Sequence, residues 1–203
     1  LILEGFRCYL QTDGYDGYNR VVAQNGITHV GCMAHVRRNF FDAAKANKKE
    51  GRAHKALVYI RKIYEIESQL REKNLSDDDF VRQRKSAVIP LLNEFHEWLI
   101  RARDEVIPKS STGKAVSYAL NEWHKIIRYT NEAFLTPDNN AAENAIRPFV
   151  VGRKNWLFSN TPRGANASAM MYSLVESAKA NSLEPYAYLS FLFSELPLAS
   201  TRE

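Results

Sequence analysis

Length, composition and charge place this chain among ordinary globular proteins. Its 203 residues are 45% apolar and 25% charged, which excludes disordered and fibrous classes. No apolar run approaches the roughly 18 residues of a membrane-spanning helix. The net charge of +5 permits an acidic partner. Two cysteines are too few for a disulfide framework, so we expect free thiols in a reducing cytoplasm.

Strands and helices alternate in the first part of the chain, residues 1–48. The predicted elements are a strand over 6–12, a helix over 15–24, a strand over 27–33 and a helix over 37–45. Turn signals at Asp13-Gly14 and Asn25-Gly26 end the first strand and the first helix. The last helix should place Phe40, Phe41 and Ala44 on one face. This order is typical of a parallel crossover, and since two parallel strands are not stable alone, we expect partner strands upstream.

Residues 49–135 predict an all-helical insertion. The apolar positions with helical spacing are Ala56, Ile60, Ile63 and Leu70, then Val88, Leu91, Leu92, Phe95, Leu99, Ala102 and Val106, then Val116, Leu120, Trp123 and Ile127. Ser76 should cap the second helix, and Pro90 should kink it. The third helix is expected over 114–133.

Residues 136–203 should return to the α/β part of the fold. We expect a short helix over 141–147 that Pro148 ends, followed by an extended segment over 152–158. Thr161-Pro162 and Glu184-Pro185 are start signals for two further helices. Their predicted apolar faces are Ala167, Met170, Met171, Leu174, Val175 and Ala178 in one, and Tyr186, Leu189 and Phe193 in the other.

Two acidic residues are candidates for chemistry. Asp13 follows a predicted strand of an α/β unit, where open sheets place functional groups, although Asp-Gly is also a common turn pair. Glu143 lies on a short helix and could instead form a surface ion pair with Arg147. No acid occurs between Asn144 and Val175, where the basic residues are Arg147, Arg153, Lys154 and Arg163. Carboxylates followed by basic residues suit phosphodiester chemistry, because carboxylates bind divalent cations and basic groups bind phosphates.

Cys32 and His35 form a Cys-x-x-His pair at the end of the second predicted strand. Zinc binding would need a second Cys/His pair at suitable spacing, and the sequence offers none. We therefore expect these two side chains to pack and to form hydrogen bonds beside Asp13.

Three strings together resemble the insertion-sequence-66-type transposases. They are Leu10-Gln-Thr-Asp13-Gly-Tyr15-Asp-Gly-Tyr18, Gly31-Cys32-Met-Ala-His35-Val-Arg-Arg-Asn-Phe40 and Asp138-Asn-Asn-Ala-Ala-Glu143-Asn-Ala-Ile-Arg147-Pro148. Gly152-Arg-Lys-Asn-Trp156 and Pro185-Tyr-Ala-Tyr-Leu189 add to the resemblance, which runs in collinear order over nearly the whole chain.

The resemblance implies an α/β, ribonuclease-H-like fold with an Asp-Asp-Glu triad and a helical insertion before the Glu. Asp13 would be the second Asp and Glu143 the Glu, with Cys32 and His35 supporting them. The first Asp would lie upstream, so we expect the chain to be a fragment that is inactive by itself. The catalytic domain would then comprise 1–48 and 136–203, with the insertion at 49–135.

The implied activity is bacterial DNA transposition with two Mg²⁺ or Mn²⁺ ions. Water would first free a 3′-hydroxyl at the transposon end, and that hydroxyl would then attack target DNA. Phosphate contacts are expected from Arg147, Arg153, Lys154 and Arg163, and base stacking from Trp156. Double-stranded DNA and further copies of the chain are the expected partners. The alternatives are a structure-specific nuclease or resolvase of the same fold, and a non-catalytic helical DNA-binding module.

Overall fold

A computed structural model of the chain describes residues 5–46, 51–155 and 159–198. Within these ranges the protein is helix-dominated and has two short strands. The elements are β1 (Tyr9–Gln11), α1 (Gly17–Asn25), β2 (Thr28–Val30), α2 (Met33–Ala46), α3 (Arg52–Arg71), α4 (Asp77–Glu105), α5 (Ser111–Ile126), a 3₁₀ segment (Ile127–Asn131), α6 (Asn140–Asn155), α7 (Pro162–Ala180), α8 (Pro185–Glu195) and a 3₁₀ segment (Leu196–Leu198). They divide into two compact units, Leu1–Asn139 and Asn140–Glu203.

The first unit begins with the predicted parallel crossover. β1 and β2 pair in parallel, with Tyr9 opposite Thr28 and Gln11 opposite Val30. Gly26 ends α1 with a φ of +64°, a left-handed conformation that glycine adopts without strain. The expected strand, helix, strand and helix are therefore confirmed. The described residues hold no further strand, so the ribonuclease-H-like fold stays a prediction.

One hydrophobic core joins the strand pair to α2, α3, α4 and α5. Its fully buried side chains include Val30, Met33, Val36, Phe40, Ile60, Ile63, Val88, Leu92, Phe95, Leu99, Val116 and Ile126. The predicted faces of α3 and α4 are thus confirmed at their central positions. Of the three residues predicted to share one face of α2, Phe40 and Ala44 are buried and Phe41 is 50% exposed. The buried positions of α2 are Met33, Val36, Phe40, Ala43 and Ala44, which follow helical spacing and leave Phe41 to one side.

Two sequence signals concern α4, the capping residue Ser76 and the internal proline Pro90. Ser76 caps α4 as predicted, because its hydroxyl oxygen accepts a hydrogen bond from the Asp79 amide. The helix continues through Pro90 to Glu105. None of the helices in the described residues is long and apolar enough to cross a membrane.

A buried ion pair lies between α3 and α4. Arg84 Nε is 3.0 Å from Glu67 Oε1, and both side chains are almost fully buried. The Arg84 guanidinium also donates to three backbone carbonyls, those of Tyr129 at 2.9 Å, Glu132 at 2.7 Å and Leu135 at 3.0 Å. Arg84 therefore fixes the chain that leads from the 3₁₀ segment towards Thr136.

The second unit contains α6, α7 and α8. The prediction that Pro148 ends the first of these helices was wrong, because α6 continues to Asn155. The expected extended segment is therefore helical over 152–155, and 156–158 lie outside the described residues. Proline removes one backbone hydrogen bond, while the next residue, Phe149, packs edge-on against Tyr172 of α7 at 5.5 Å. This contact favours continuation of the helix.

The predicted starts of α7 and α8 are confirmed, whereas most residues of their predicted apolar faces are not buried. The Thr161 hydroxyl accepts from the Gly164 amide at 3.1 Å, and the Glu184 carboxylate accepts from the Ala187 amide at 2.7 Å. Among the apolar positions predicted for the two helices, only Ala178 is buried. Helical spacing determines which residues share a face, but it does not supply a partner that covers the face.

Candidate active site

Asp13 lies just beyond the carboxyl end of β1. The buried Thr12 extends the strand pairing, since its amide donates to the Val30 carbonyl at 3.1 Å. Asp13 Oδ1 then accepts a hydrogen bond from the Tyr15 amide at 3.2 Å, which forms an Asx turn. The Asp13 carboxylate is half-buried. It therefore lies at the edge of the strand pair where functional groups of α/β proteins gather.

Hydrogen bonds between buried polar groups stabilise the turn at Asp13. The Thr12 hydroxyl donates to the Asp13 carbonyl at 2.7 Å and lies 2.7 Å from His29 Nε2. Because a hydroxyl has one proton, the His29 Nε2–H must be the donor in the second contact. Burial, and then the charge of Lys125, lowers the pKa of His29 below 6.5. The imidazole is therefore held in its neutral form.

Cys32 and His35 lie at the corresponding end of β2. Cys32 is buried, and His35 is in the first turn of α2. Burial raises the pKa of the Cys32 thiol, and hydrogen bonds from backbone amides oppose this effect only in part. A side chain on Gly31 would lie 3.0 Å from the backbone nitrogen of Ile126, so glycine allows a close approach between the end of β2 and α5.

Residues 136–139 form an anchor segment that is bound to the same edge of the strand pair. The Gln11 side-chain amide donates to the Thr136 carbonyl at 2.8 Å. The Met33 amide, at the start of α2, donates to the Pro137 carbonyl at 2.8 Å. The end of β1 and the start of α2 thus hold this segment, which lies directly before α6.

The second half of the anchor segment is held by side chains. The Tyr64 hydroxyl of α3 donates to Asp138 Oδ2 at 2.6 Å. Burial and this hydrogen bond raise the pKa of Tyr64 far above its usual range, so it remains a donor. The Asn139 amide donates to the sulfur of Cys32. Asp138 and Asn139, both part of the resemblance motif, are therefore fixed next to Cys32.

Tyr118 of α5 covers the turn at Asp13. A side chain on Gly14 would lie 2.9 Å from the Tyr118 hydroxyl oxygen, so the phenol rests directly on the glycine. Burial and the charge of Glu122 raise the pKa of Tyr118 to about 12. Its hydroxyl is therefore a neutral hydrogen-bonding group close to the Asp13 carboxylate.

Glu143 and the basic candidates belong to the second unit. Glu143 is half-buried in the first turn of α6. Arg147 and Lys154 are exposed on α6, and Arg163 is exposed in the first turn of α7. The Arg153 side chain and the whole of Trp156 lie outside the described part of the chain. Because Asp13 and Glu143 lie in different units, their predicted proximity stays a prediction.

The residues that the structure describes contain no group of three His, Cys, Asp or Glu side chains that could hold a metal ion. The oxygens of Asp13 and Glu143 nevertheless have the donor chemistry that Mg²⁺ prefers. Two carboxylates are an incomplete site, and metal binding stays a prediction.

Sequence reasoning missed the residues that hold the anchor segment. Tyr64 and Asp138 are 74 positions apart, and no local pattern links them. Arg84 and Glu67 did leave a signal, because each interrupts an otherwise apolar helix face. Glu67 lies between Ile63 and Leu70, and charged residues are buried only when they are paired.

Comparison with known families decides the assignment. A family model described as "Transposase IS66 family" matches residues 1–167, and a second, described as "IS66 C-terminal element", matches residues 173–203. The chain belongs to the IS66 transposase family. This confirms the resemblance to the insertion-sequence-66-type transposases.

Three proteins of Sinorhizobium fredii are similar to this IS66-family chain. The uncharacterized protein y4hP is 30% identical over 209 residues, covering 96% of the chain and 38% of the relative. The uncharacterized protein y4qI is 31% identical, covering 93% and 36%, and y4jD is 27% identical, covering 98% and 40%. The chain thus spans about two fifths of the length of these relatives. No solved structure matches it.

Proposed function

We propose that this chain carries part of the catalytic domain of a DNA transposase, with Asp13 and Glu143 as two carboxylates of an Asp-Asp-Glu triad. One observation carries the proposal. The anchor segment is bound to the edge of the strand pair that bears Asp13, and Glu143 is only five positions beyond Asp138. In this proposal the domain has a ribonuclease-H-like fold formed by 1–48 and 136–203, with 49–135 inserted.

The proposed roles follow from the chemistry of the side chains. Asp13 and Glu143 would hold Mg²⁺ or Mn²⁺ through their oxygens, together with the first Asp of the triad. Two such ions stabilise the attacking and leaving oxygens of an in-line displacement at phosphorus. Tyr118 and Tyr64 would position the Asp13 turn and the anchor segment. Cys32 and His35 would support the same edge by packing.

The second unit would contribute to DNA binding. Arg147, Lys154 and Arg163 are exposed, as contacts to phosphate require, and Arg153 and Trp156 join them in the proposal. The substrates would be double-stranded transposon ends and target DNA in the bacterial cytoplasm. Because two ends must be joined to one target, we propose that several copies of the protein act together.

The decisive variant is Glu143→Gln in the full-length protein, assayed with transposon-end DNA and Mg²⁺. The substitution keeps the size of the side chain and removes the charge that a divalent cation requires. We expect cleavage and strand transfer to be lost while DNA binding is retained. Glu97→Gln, at an exposed position on α4, is the matched control and should keep the parent rate.

The possible results of this assay distinguish the candidate functions. Cleavage by the parent protein without a joined product would favour a nuclease or resolvase. Binding without cleavage in the parent protein would favour a non-catalytic DNA-binding module. Cleavage by Glu143→Gln at the parent rate would contradict the role of Glu143 in the triad.

A further inference from the structure

The surface between α2 and α3 contains an apolar groove with arginines beside it. The groove has a volume of about 380 Å³. It is lined by Arg37 and Phe41 of α2 and by Leu57, Val58, Arg61 and Tyr64 of α3. Two of its apolar side chains are open to solvent, since Phe41 is 50% and Val58 is 41% exposed. A single exposed apolar residue is ordinary, but two in a groove with two guanidinium groups form a potential binding surface.

The charge of the two helices indicates the kind of ligand. α2 and α3 together carry eight Lys and Arg residues against three Asp and Glu. Of these acids, Glu67 is buried with Arg84, and Glu65 forms an exposed pair with Arg61 at 3.5 Å. α4 in the same unit has the opposite balance, with five basic residues against seven acids. Arg52 of α3 pairs with Glu105 of α4, and the positive excess that remains makes the surface of α2 and α3 complementary to a polyanion.

The position of the groove links it to the candidate active site. Tyr64 lines the groove, and its hydroxyl donates to Asp138 of the anchor segment. The volume is at the lower end of the range for small-ligand sites, which suits one nucleotide and is too small for a duplex. An aromatic face such as that of Phe41 can stack only on a base that has left the duplex stack.

We propose that this groove binds an unpaired nucleotide of the DNA substrate. Phe41 stacks on the base, and Arg37 and Arg61 contact the flanking phosphates, with Arg61 exchanging its exposed pair with Glu65 for a phosphate. The inference rests on the proposed function, because it requires that DNA be the substrate. It adds a binding site on α2 and α3, apart from the basic residues of α6 and α7.

The test measures binding to the 203-residue chain without metal, using two fluorescein-labelled DNAs. One is a blunt duplex, and the other is the same duplex with a short single-stranded tail that contains 2-aminopurine. We expect the parent chain to prefer the tailed DNA and to quench the 2-aminopurine. Phe41→Ala should weaken tailed-DNA binding by about fivefold or more, abolish quenching and leave duplex affinity within about twofold. Phe41→Trp should preserve both signals.

The salt dependence of binding tests the roles of Arg37 and Arg61 separately. Arg37→Gln and Arg61→Gln should each lower the slope of log K against log salt for the tailed DNA by about 0.7, the value for one phosphate of a single strand. The matched controls are Phe134→Ala, at a 65% exposed phenylalanine outside the groove, and Arg103→Gln, at an exposed arginine of α4. Both should behave like the parent chain.

A thermal melt of each variant shows that it is folded before binding is measured. An unchanged tail preference and unchanged quenching in folded Phe41→Ala would overturn the proposal, as would a parent chain that binds both DNAs equally. Failure of the proposed function would be seen separately, as cleavage that survives Glu143→Gln in the full-length protein.

Discussion

The side chains around Asp13 show how burial determines protonation. His29 is 3% exposed, donates through Nε2 to Thr12 and has a lowered pKa because of burial and the nearby Lys125. A neutral imidazole at the back of the Asp13 turn adds no positive charge to the buried end of β1. His29 is therefore less readily protonated in the folded chain than in the unfolded chain.

This arrangement predicts that stability depends on pH below about 6.5. A group with a lowered folded-state pKa stabilises the fold above its unfolded pKa, and this contribution is lost as the pH falls. We expect the free energy of unfolding to fall between pH 7 and pH 5.5, by at most about 1.4 kcal/mol per pH unit for this one proton. His29→Gln should remove this component in urea unfolding. His54→Gln should keep it, and parallel profiles for the parent and His29→Gln would contradict the argument.

Individual elements show which sequence signals are sufficient and which are not. Ser76, Thr161 and Gly26 act at helix ends through contacts with near neighbours, so the sequence predicts them well. The prediction that Pro148 ends its helix was wrong, because the packing of Phe149 against Tyr172, on a separate helix, favours continuation of α6. Asp13 and the anchor segment could be recognised from local sequence motifs. Tyr64 and Tyr118 are brought close to them only by the packing of α3 and α5.

At Gly113, in the first turn of α5, helix propensity and packing have opposite effects on the stability of an alanine variant. Alanine is favoured over glycine inside helices by about 1 kcal/mol. A side chain on Gly113 would, however, overlap the carbonyl oxygen of Ile107 and lie 2.8 Å from that of Pro108. We expect Gly113→Ala to lower the free energy of unfolding by about 1–3 kcal/mol, since backbone atoms cannot move aside easily. Ser117→Ala, exposed on α5, is the control, and a more stable Gly113→Ala would contradict the packing argument.

At the scale of the whole molecule, apolar burial is unevenly distributed. Apart from Ala178, every described apolar side chain that is buried lies in the first unit. In the second unit Met170, Tyr186 and Phe193 are between 57% and 80% exposed. Since burial of apolar surface drives folding, the stability of the chain should reside in the first unit.

A pair of fragments tests this distribution. We expect a fragment ending at Asn139 to unfold cooperatively with nearly the thermal midpoint of the whole chain. A fragment of residues 140–203 should show no cooperative transition by circular dichroism, because it buries too little apolar area. A cooperative transition in the second fragment, or loss of cooperativity in the first, would show that stability is distributed differently.

The anchoring of residues 136–139 also bears on any attempt to reduce the protein to a smaller enzyme. Joining residue 48 directly to residue 136 is the obvious shortcut if 49–135 is an insertion. Such a deletion would remove the Tyr64 hydroxyl that holds Asp138. It would also uncover Met33 and Phe40, which are fully buried in the core shared with α3, α4 and α5. The helical region therefore belongs to the smallest version of this domain that an engineer could retain.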